Sequence, residues 1–309
     1  MSQKIQTLFT FMFLMGILCL NPCFPQEEMP DLSRVKIIST HVAGNIYMLE
    51  ATEDVAGNIA VSVGPDGILM VDTQFAPLGK LILAELRKIC PGKTDIKYVI
   101  NTHYHQDHTH GNLFFGKSAL IIAHENAKGR LLDLPRYAQP TITFNQQLSL
   151  YFNGEEIKVI HYPPGHTDSD VVVFFTKSNV VHLGDLFNSG NWSFPTVDLE
   201  GGGSVMGMLR NIEDLIRIIP AGAKIIPGHY ELSDLEGLKA TRDMLVETIS
   251  LVKRKKAAGL SLEQIKKEGL PPKYKDWGRG YTNAETWIEN IYMGLEKESS
   301  LDKKLNNKH

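Results

Sequence analysis

The chain has 309 residues, of which 43% are hydrophobic and 22% charged, and its formal net charge is −3. This is an ordinary globular composition, able to bury a substantial core in one large domain or two small ones. The one basic cluster, Lys253 to Lys256, is too short for a nucleic-acid footprint, so a nucleic-acid partner is not expected.

At the N-terminus, Lys4 precedes the 14-residue apolar run "TLFTFMFLMGILCL" and the polar, Pro-containing exit "NPCFPQEEMPD". A membrane-spanning helix needs about 20 apolar residues, so residues 1–25 read as a secretory signal peptide rather than a span. The expectation is an exported protein, periplasmic or secreted, with no membrane contact beyond the leader. The alternative is an uncleaved N-terminal anchor. Cys23 follows Leu20 as in a bacterial lipoprotein signal, but Pro22 stands where a small residue is usual, which makes a lipid anchor at Cys23 the lesser expectation. Cleavage leaves Cys90 as the single cysteine, so an internal disulfide is excluded and the core, helped by metal, must hold the fold.

From Ser33 to Asp72 short strands alternate with Gly, Asn and Asp turns: "VKIIST", "NIYMLE", "NIAVSVG", "GILMVDT". A helix is predicted from Pro77 to Ile89, then an apolar strand, "IKYVI". Further strands fall at "ALIIAH", "KVIHY", "VVVFF", "NVVHLGD" and "AKIIPGHY", with helices at "ENAKGRLL" and Val205 to Ile218. Strands mixed with helices predict a layered α/β domain, and the placing of polar residues at strand ends suggests two similar halves facing each other. After Leu235 the sequence turns charged and helical, with helices expected to about Ala258, at Leu262 to Glu268 and around Glu285 to Glu296, then a frayed tail "KKLNNKH".

The strand "IKYVI" runs into "NTHYHQDHTHGN", where four of the chain's 11 histidines lie between His103 and His110. On extended backbone, residues two apart share a side, so His103 and His105 can face one metal. The following turn brings Asp107 and His108 to a second position. Imidazole and carboxylate suit borderline divalent metals, zinc above all. His166 in "PPGHTDSD", Asp185 in "VVHLGDLF" and His229 in "KIIPGHYE" each follow an apolar run. Singly, the two histidines read as turn residues and Asp185 as a helix cap; with the first motif, all three read as the missing ligands. His110 and His182 read as local hydrogen-bonding groups. S-x-x-K occurs at Ser33/Lys36 and Ser250/Lys253 without S-D-N or K-T-G, and "GGGSVMG" is no nucleophile elbow, which argues against serine chemistry.

"HYHQDH", His166, Asp185 and His229, in that order, resemble the metallo-β-lactamase fold superfamily over Val35 to Leu238. The resemblance implies a four-layer αβ/βα sandwich at 33–238, with 239–309 as a helical C-terminal extension and tail. It implies a first metal held by His103, His105 and His166, a second by Asp107, His108 and His229, and Asp185 bridging them. Two Zn2+ per chain are expected, although the same ligands accept iron or manganese. A metal-bridging hydroxide would be the nucleophile and Asp107 the catalytic residue that orients it. Asp72, Thr167 and Asp170 are expected to support the ligands.

Departures from the family pattern bear on substrate. Many β-lactamases of the family carry Cys at the place of Asp185 and Lys at that of Asn188. An aspartate bridge is similar to glyoxalase II and lactonases, and "HLGDLF" with "GGGS...IIPGH" also resembles β-lactamase-like proteins of ancestral type. His105 argues against flavodiiron-type chemistry, which has Glu there. The expected function is hydrolysis of a cyclic amide, β-lactamase-like, in a small-molecule substrate contacted by Asn188, Tyr230 and Gly201 to Gly203. Lactone or thioester hydrolysis comes next, and phosphodiester hydrolysis ranks lower. A non-catalytic metal-binding accessory protein is the reading from another class.

Overall fold

The computed structural model describes residues 29–92, 95–190 and 192–306; the expected signal peptide and Cys23 lie outside them. The chain divides into a short unit, Met1–Asp31, and a large one, Leu32–His309. Of the first, Met29–Asp31 is described and forms neither helix nor strand.

In the large unit, seven strands form one sheet in sequential order: β1 (Ile37–Ala43), β2 (Ile46–Ala51), β3 (Ile59–Gly64), β4 (Gly67–Val71), β5 (Ile96–Ile100), β6 (Leu120–His124) and β7 (Ile142–Phe144). The first four pair antiparallel, and β4 to β7 pair parallel. Five more form a second sheet in the order 12-11-10-9-8: β8 (Gln147–Phe152), β9 (Glu155–His161), β10 (Val171–Phe175), β11 (Val180–His182) and β12 (Lys224–Ile226). Strand β8, which pairs with β9, and short β7 at the edge of the first sheet have no counterpart among the sequence-predicted strands. The helices are α1 (Gly79–Ile89), α2 (Gln106–Thr109), α3 (Asn112–Phe115), α4 (Glu125–Arg130), α5 (Val205–Ile218), α6 (Leu235–Ala257), α7 (Leu262–Glu268) and α8 (Ala284–Asn306).

Side chains alternate along a strand, and here the alternation sorts the core into layers. In β4, Ile68 and Met70 join Ile82 and Leu86 of α1, while Leu69 and Val71 face the other sheet. In β10, Val171, Val173 and Phe175 meet them from across the gap, while Val172 packs with Ile212 and Leu215 of α5 and Trp287 of α8. Three apolar interiors thus separate four layers, helix, sheet, sheet, helix. This is the expected αβ/βα sandwich.

The C-terminal helices complete the outer layer on the second sheet: Leu245 and Ile249 of α6, Ile265 of α7 and Ile288 and Ile291 of α8 share its apolar interior. Helix α8 runs to Asn306, past the expected end at Glu296, so "KKLN" of the expected tail is helical, while "NKH" lies outside the described residues. No helix among the described residues is long and apolar enough to cross a membrane.

Candidate metal centre

One end of the sandwich collects the loops that leave β4, β5, β9, β11 and β12, and all seven expected ligands lie there. The chain leaves β5 through Asn101 and Thr102. Asn112 Nδ2 donates to Asn101 Oδ1 at 2.9 Å, and Thr102 Oγ1 to Asp72 Oδ2 at 2.7 Å. His103 and His105 therefore lie in a loop beyond the strand, not on its last residues, although His105 keeps extended backbone (φ −61°, ψ 150°) as it enters α2. The first turn of α2 then presents Asp107 and His108. His166 sits in the turn between β9 and β10, where the Asp170 carboxylate accepts its backbone N–H at 2.7 Å and that of Thr167 at 3.0 Å. Asp185 follows β11 on a short 3-10 turn. His229 follows β12, its loop held by Asn58 Nδ2, which donates to the carbonyls of Pro227 (3.1 Å) and Tyr230 (2.8 Å).

Ligand atoms of His103, His105 and His166 lie within 4.8 Å of one another, as do those of Asp107, His108 and His229, and those of His103, His108 and Asp185. Asp185 stands between the first two groups. Its Oδ2 is 3.6 Å from His166 Nε2 and 3.4 Å from His229 Nε2, and its Oδ1 is 3.2 Å from His108 Nε2. Asp107 Oδ2 lies 3.2 Å from His229 Nε2 and 3.4 Å from His108 Nε2. Only two of the seven reach solvent appreciably, with side chains 26% exposed at His105 and 25% at Asp107, so the centre opens at that face.

Burial disfavours ionised carboxyls, yet His229 and His108 facing Asp185, and His108 and His229 facing Asp107, hold both well below the usual range. The same pairs act in reverse on His229: burial opposes its protonation, but Asp185 and Asp107 raise it to about 9. His103 and His166 are driven the other way, first by burial and then by neighbouring imidazoles, His166 to about 4. His103 Nε2 is buried with no hydrogen-bond partner, and so is Asp185 Oδ1. Orphaned buried polar atoms are rare and costly. Here they converge with imidazole nitrogens and carboxylate oxygens, a donor set that fits divalent cations.

The far nitrogens of His108 and His166 are fixed by partners, as metal-binding histidines require. His108 Nδ1 is 2.8 Å from Asp72 Oδ2, and Asp72 also accepts Thr102 N–H at 2.8 Å. His166 Nδ1 donates to the Thr196 carbonyl at 2.7 Å. Asp72, Thr167 and Asp170 thus take supporting positions, and burial pushes Asp170 up to about 7 despite hydrogen bonds from Thr167 and His166. His110 and His182 stay local: His110 Nδ1 accepts Ala76 N–H at 3.1 Å, and His182 Nδ1 accepts that of Gly184 at 3.0 Å.

Asp198 has no counterpart in the sequence reading. Its carboxylate Oδ2 lies 2.9 Å from His105 Nε2 and also accepts the Tyr104 hydroxyl, so His105 turns Nδ1 inward, 2.9 Å from His166 Nε2. The glycine loop after it is bound back onto Asp198, through Gly201 N–H to Oδ1 at 2.6 Å and Gly203 N–H to the carbonyl at 2.7 Å. Glycine is needed for close approach at two further places: a Cβ at Gly57 would enter the His108 ring, and one at Gly228 would strike Asp185 Oδ1. Asn188 is buried with its Oδ1 unpartnered, and Tyr230, also buried, packs on Trp192 with ring centroids 4.3 Å apart.

The family model described as the metallo-beta-lactamase superfamily matches residues 52–229. Hydroxyacylglutathione hydrolase from Nitrosococcus oceani is 27% identical over 154 residues, which are 48% of this chain and 54% of the relative. The chain thus spans about half the length of that relative. Metallo-beta-lactamase type 2 from Elizabethkingia meningoseptica is 21% identical over 223 residues, 72% of this chain and 88% of that one. Among solved structures, a stereoselective inverting sec-alkylsulfatase from Pseudomonas sp. superposes with a TM-score of 0.66 at 16% identity, over 84% of this chain and 50% of its own. Three differently named activities on one fold show that the architecture is shared and leave the scissile bond to the site. Members of the matched family are metallo-hydrolases that use divalent metals. With the family model covering more than half of its length and the His/Asp groups assembled where the fold opens, this chain belongs to the metallo-beta-lactamase superfamily.

Proposed function

We infer that the protein is a dinuclear zinc hydrolase that adds water across the carbonyl–nitrogen bond of a cyclic amide, and that it works after export. The observation that carries this reading is the convergence of seven nitrogen and oxygen donors in two groups joined by Asp185. His103, His105 and His166 would hold one cation, Asp107, His108 and His229 the other, and Asp185 both; such donors suit zinc. Two cations, when bound, supply Lewis acidity and bring the pKa of a coordinated water near neutrality.

The rest is done by side chains of this chain. Asp107 is the carboxylate at the open face, and it orients the attacking water. As the carbon–nitrogen bond breaks, one proton of the water passes to the leaving nitrogen and the other is released to solvent, leaving a carboxylate and an amine. Asp72 and Asp198 keep the His108 and His105 rings from turning, so the reacting groups stay aligned. The amide is ranked first because the metallo-beta-lactamase is matched over 88% of its length.

A second reading, hydrolysis of a lactone or thioester, is favoured by Asp185 itself and by the likeness to a hydroxyacylglutathione hydrolase. One experiment separates them: metal content of the purified mature protein, then rates on a chromogenic β-lactam, a lactone and a thioester, beside His103→Ala. We expect two equivalents of metal in the wild type, loss of at least one in the variant, and a rate at least 100-fold lower, as follows when a metal position is emptied. Fewer than two equivalents at saturation would overturn the dinuclear reading. Equal rates in the variant would leave a metal-binding accessory protein.

A further inference from the structure

Beyond the residues matched by the family model, the C-terminal extension returns to the metal centre. Between α7 and α8 the segment "WGRGYTN", 277–283, lies against the loop that follows Asp185. Gly278 and Arg279 N–H groups donate to the Trp192 carbonyl at 2.6 and 3.2 Å, and Thr282 pairs with Phe194 as an isolated β-bridge. Thr282 Oγ1 also lies 2.9 Å from Thr196 Oγ1, on the residue whose carbonyl fixes His166. Behind the segment, Phe194 stacks on Trp287 (6.3 Å, 13°) and tilts against Trp277 (5.5 Å). Its position is therefore set by a buried aromatic cluster, not by a free loop.

The segment delivers Tyr281 to the ligands. Its ring stands edge-on to His229 with centroids 5.1 Å apart, and its hydroxyl donates to the Asp54 carbonyl at 2.6 Å, across to the stretch between β2 and β3. Glu53 and Asp54 adopt left-handed backbone (φ 68° and 50°), a conformation such residues seldom take, and this backbone carries the carbonyl that Tyr281 meets. The hydroxyl is spent on that bond, but 57% of Tyr281 remains exposed. What it offers a ligand is an aromatic surface. Burial first, and then the Glu231 charge, hold the Asp54 carboxyl above its usual range.

We propose that Tyr281, supplied by the C-terminal extension and packed on His229, is a wall of the substrate groove and takes a flat apolar ring of the substrate on its exposed surface. The inference rests on the two-metal reading, and its test keeps the two apart. The protein is loaded with cobalt(II) and titrated with 2-phenylethanethiol and with ethanethiol, thiolates that differ in the ring and bind metal through sulfur, followed by the thiolate-to-cobalt absorption. Tyr281→Ala should keep its cobalt and narrow the preference for the phenyl compound about two- to tenfold, the usual worth of an aromatic pair. Tyr281→Phe, which keeps the ring and loses the bond to Asp54, should retain the preference. An unchanged ratio in Tyr281→Ala at full cobalt content would overturn the wall. A wild type that takes up no cobalt would overturn the metal reading instead, and the wall with it.

Discussion

His105 shows how one side chain acquires its role from another far along the chain. An imidazole can bind through either nitrogen, and the partner of the far nitrogen decides which is offered. Asp198, 93 residues away, sits 2.9 Å from Nε2 and leaves Nδ1 facing His166. Burial works against the Asp198 charge, but hydrogen bonds from His105 and Tyr104 hold its carboxyl below the usual range. We expect Asp198→Asn to weaken metal binding about tenfold, read by competition with a chromogenic chelator, with Tyr104→Phe smaller in effect. An unchanged affinity would show that the His105 ring is oriented without the carboxylate. His105 was legible in the sequence through its spacing from His103. Asp198 was not, because nothing in "PTVDLEG" distinguishes a ligand-orienting aspartate from a turn residue.

Elements position these side chains by ending where they do. β5, β11 and β12 are short and end on buried residues, and each hands the chain to a polar ligand within a few positions of its last paired residue. The loops are then pinned by close backbone contacts that glycine alone permits. In Gly57→Ala the new Cβ would enter the His108 ring, so we expect about 1–3 kcal/mol of destabilisation and loss of metal from the Asp107, His108, His229 group. Thermal unfolding and metal analysis together check this; normal metal content would mean that the loop yields. Ser204→Ala is the matching control at an element end. It removes the hydroxyl that accepts Gly207 N–H at 2.9 Å at the start of α5, which should cost about 1 kcal/mol without changing bound metal.

At the scale of the whole molecule, three apolar interiors hold four layers in place, and the C-terminal helices belong to one of them. Trp287 is fully buried, and its indole N–H donates to Thr248 Oγ1 at 3.0 Å, tying α8 to α6. Trp287→Ala is expected to cost about 3–5 kcal/mol and to lower the midpoint of one cooperative denaturant transition; a separate early transition would show an extension that folds apart. Removing metal should lower Tm reversibly, since a ligand bound only by the native state stabilises it by mass action. A Tm unmoved by chelation and by added zinc would deny the coupling.

The seven converging side chains, the α/β layering and the limits of α5 and α7 were all determined by local sequence. Hydrophobic periodicity and ligand spacing are short-range signals, readable without knowing what packs on what. Only the tertiary structure decided the rest. The shared sheet end places Asp185 between two ligand groups, Asp198 behind His105, and Tyr281 of the extension against His229. Those contacts join residues tens of positions apart, and their partners are set by packing of whole layers rather than by any pattern in the stretch that carries them.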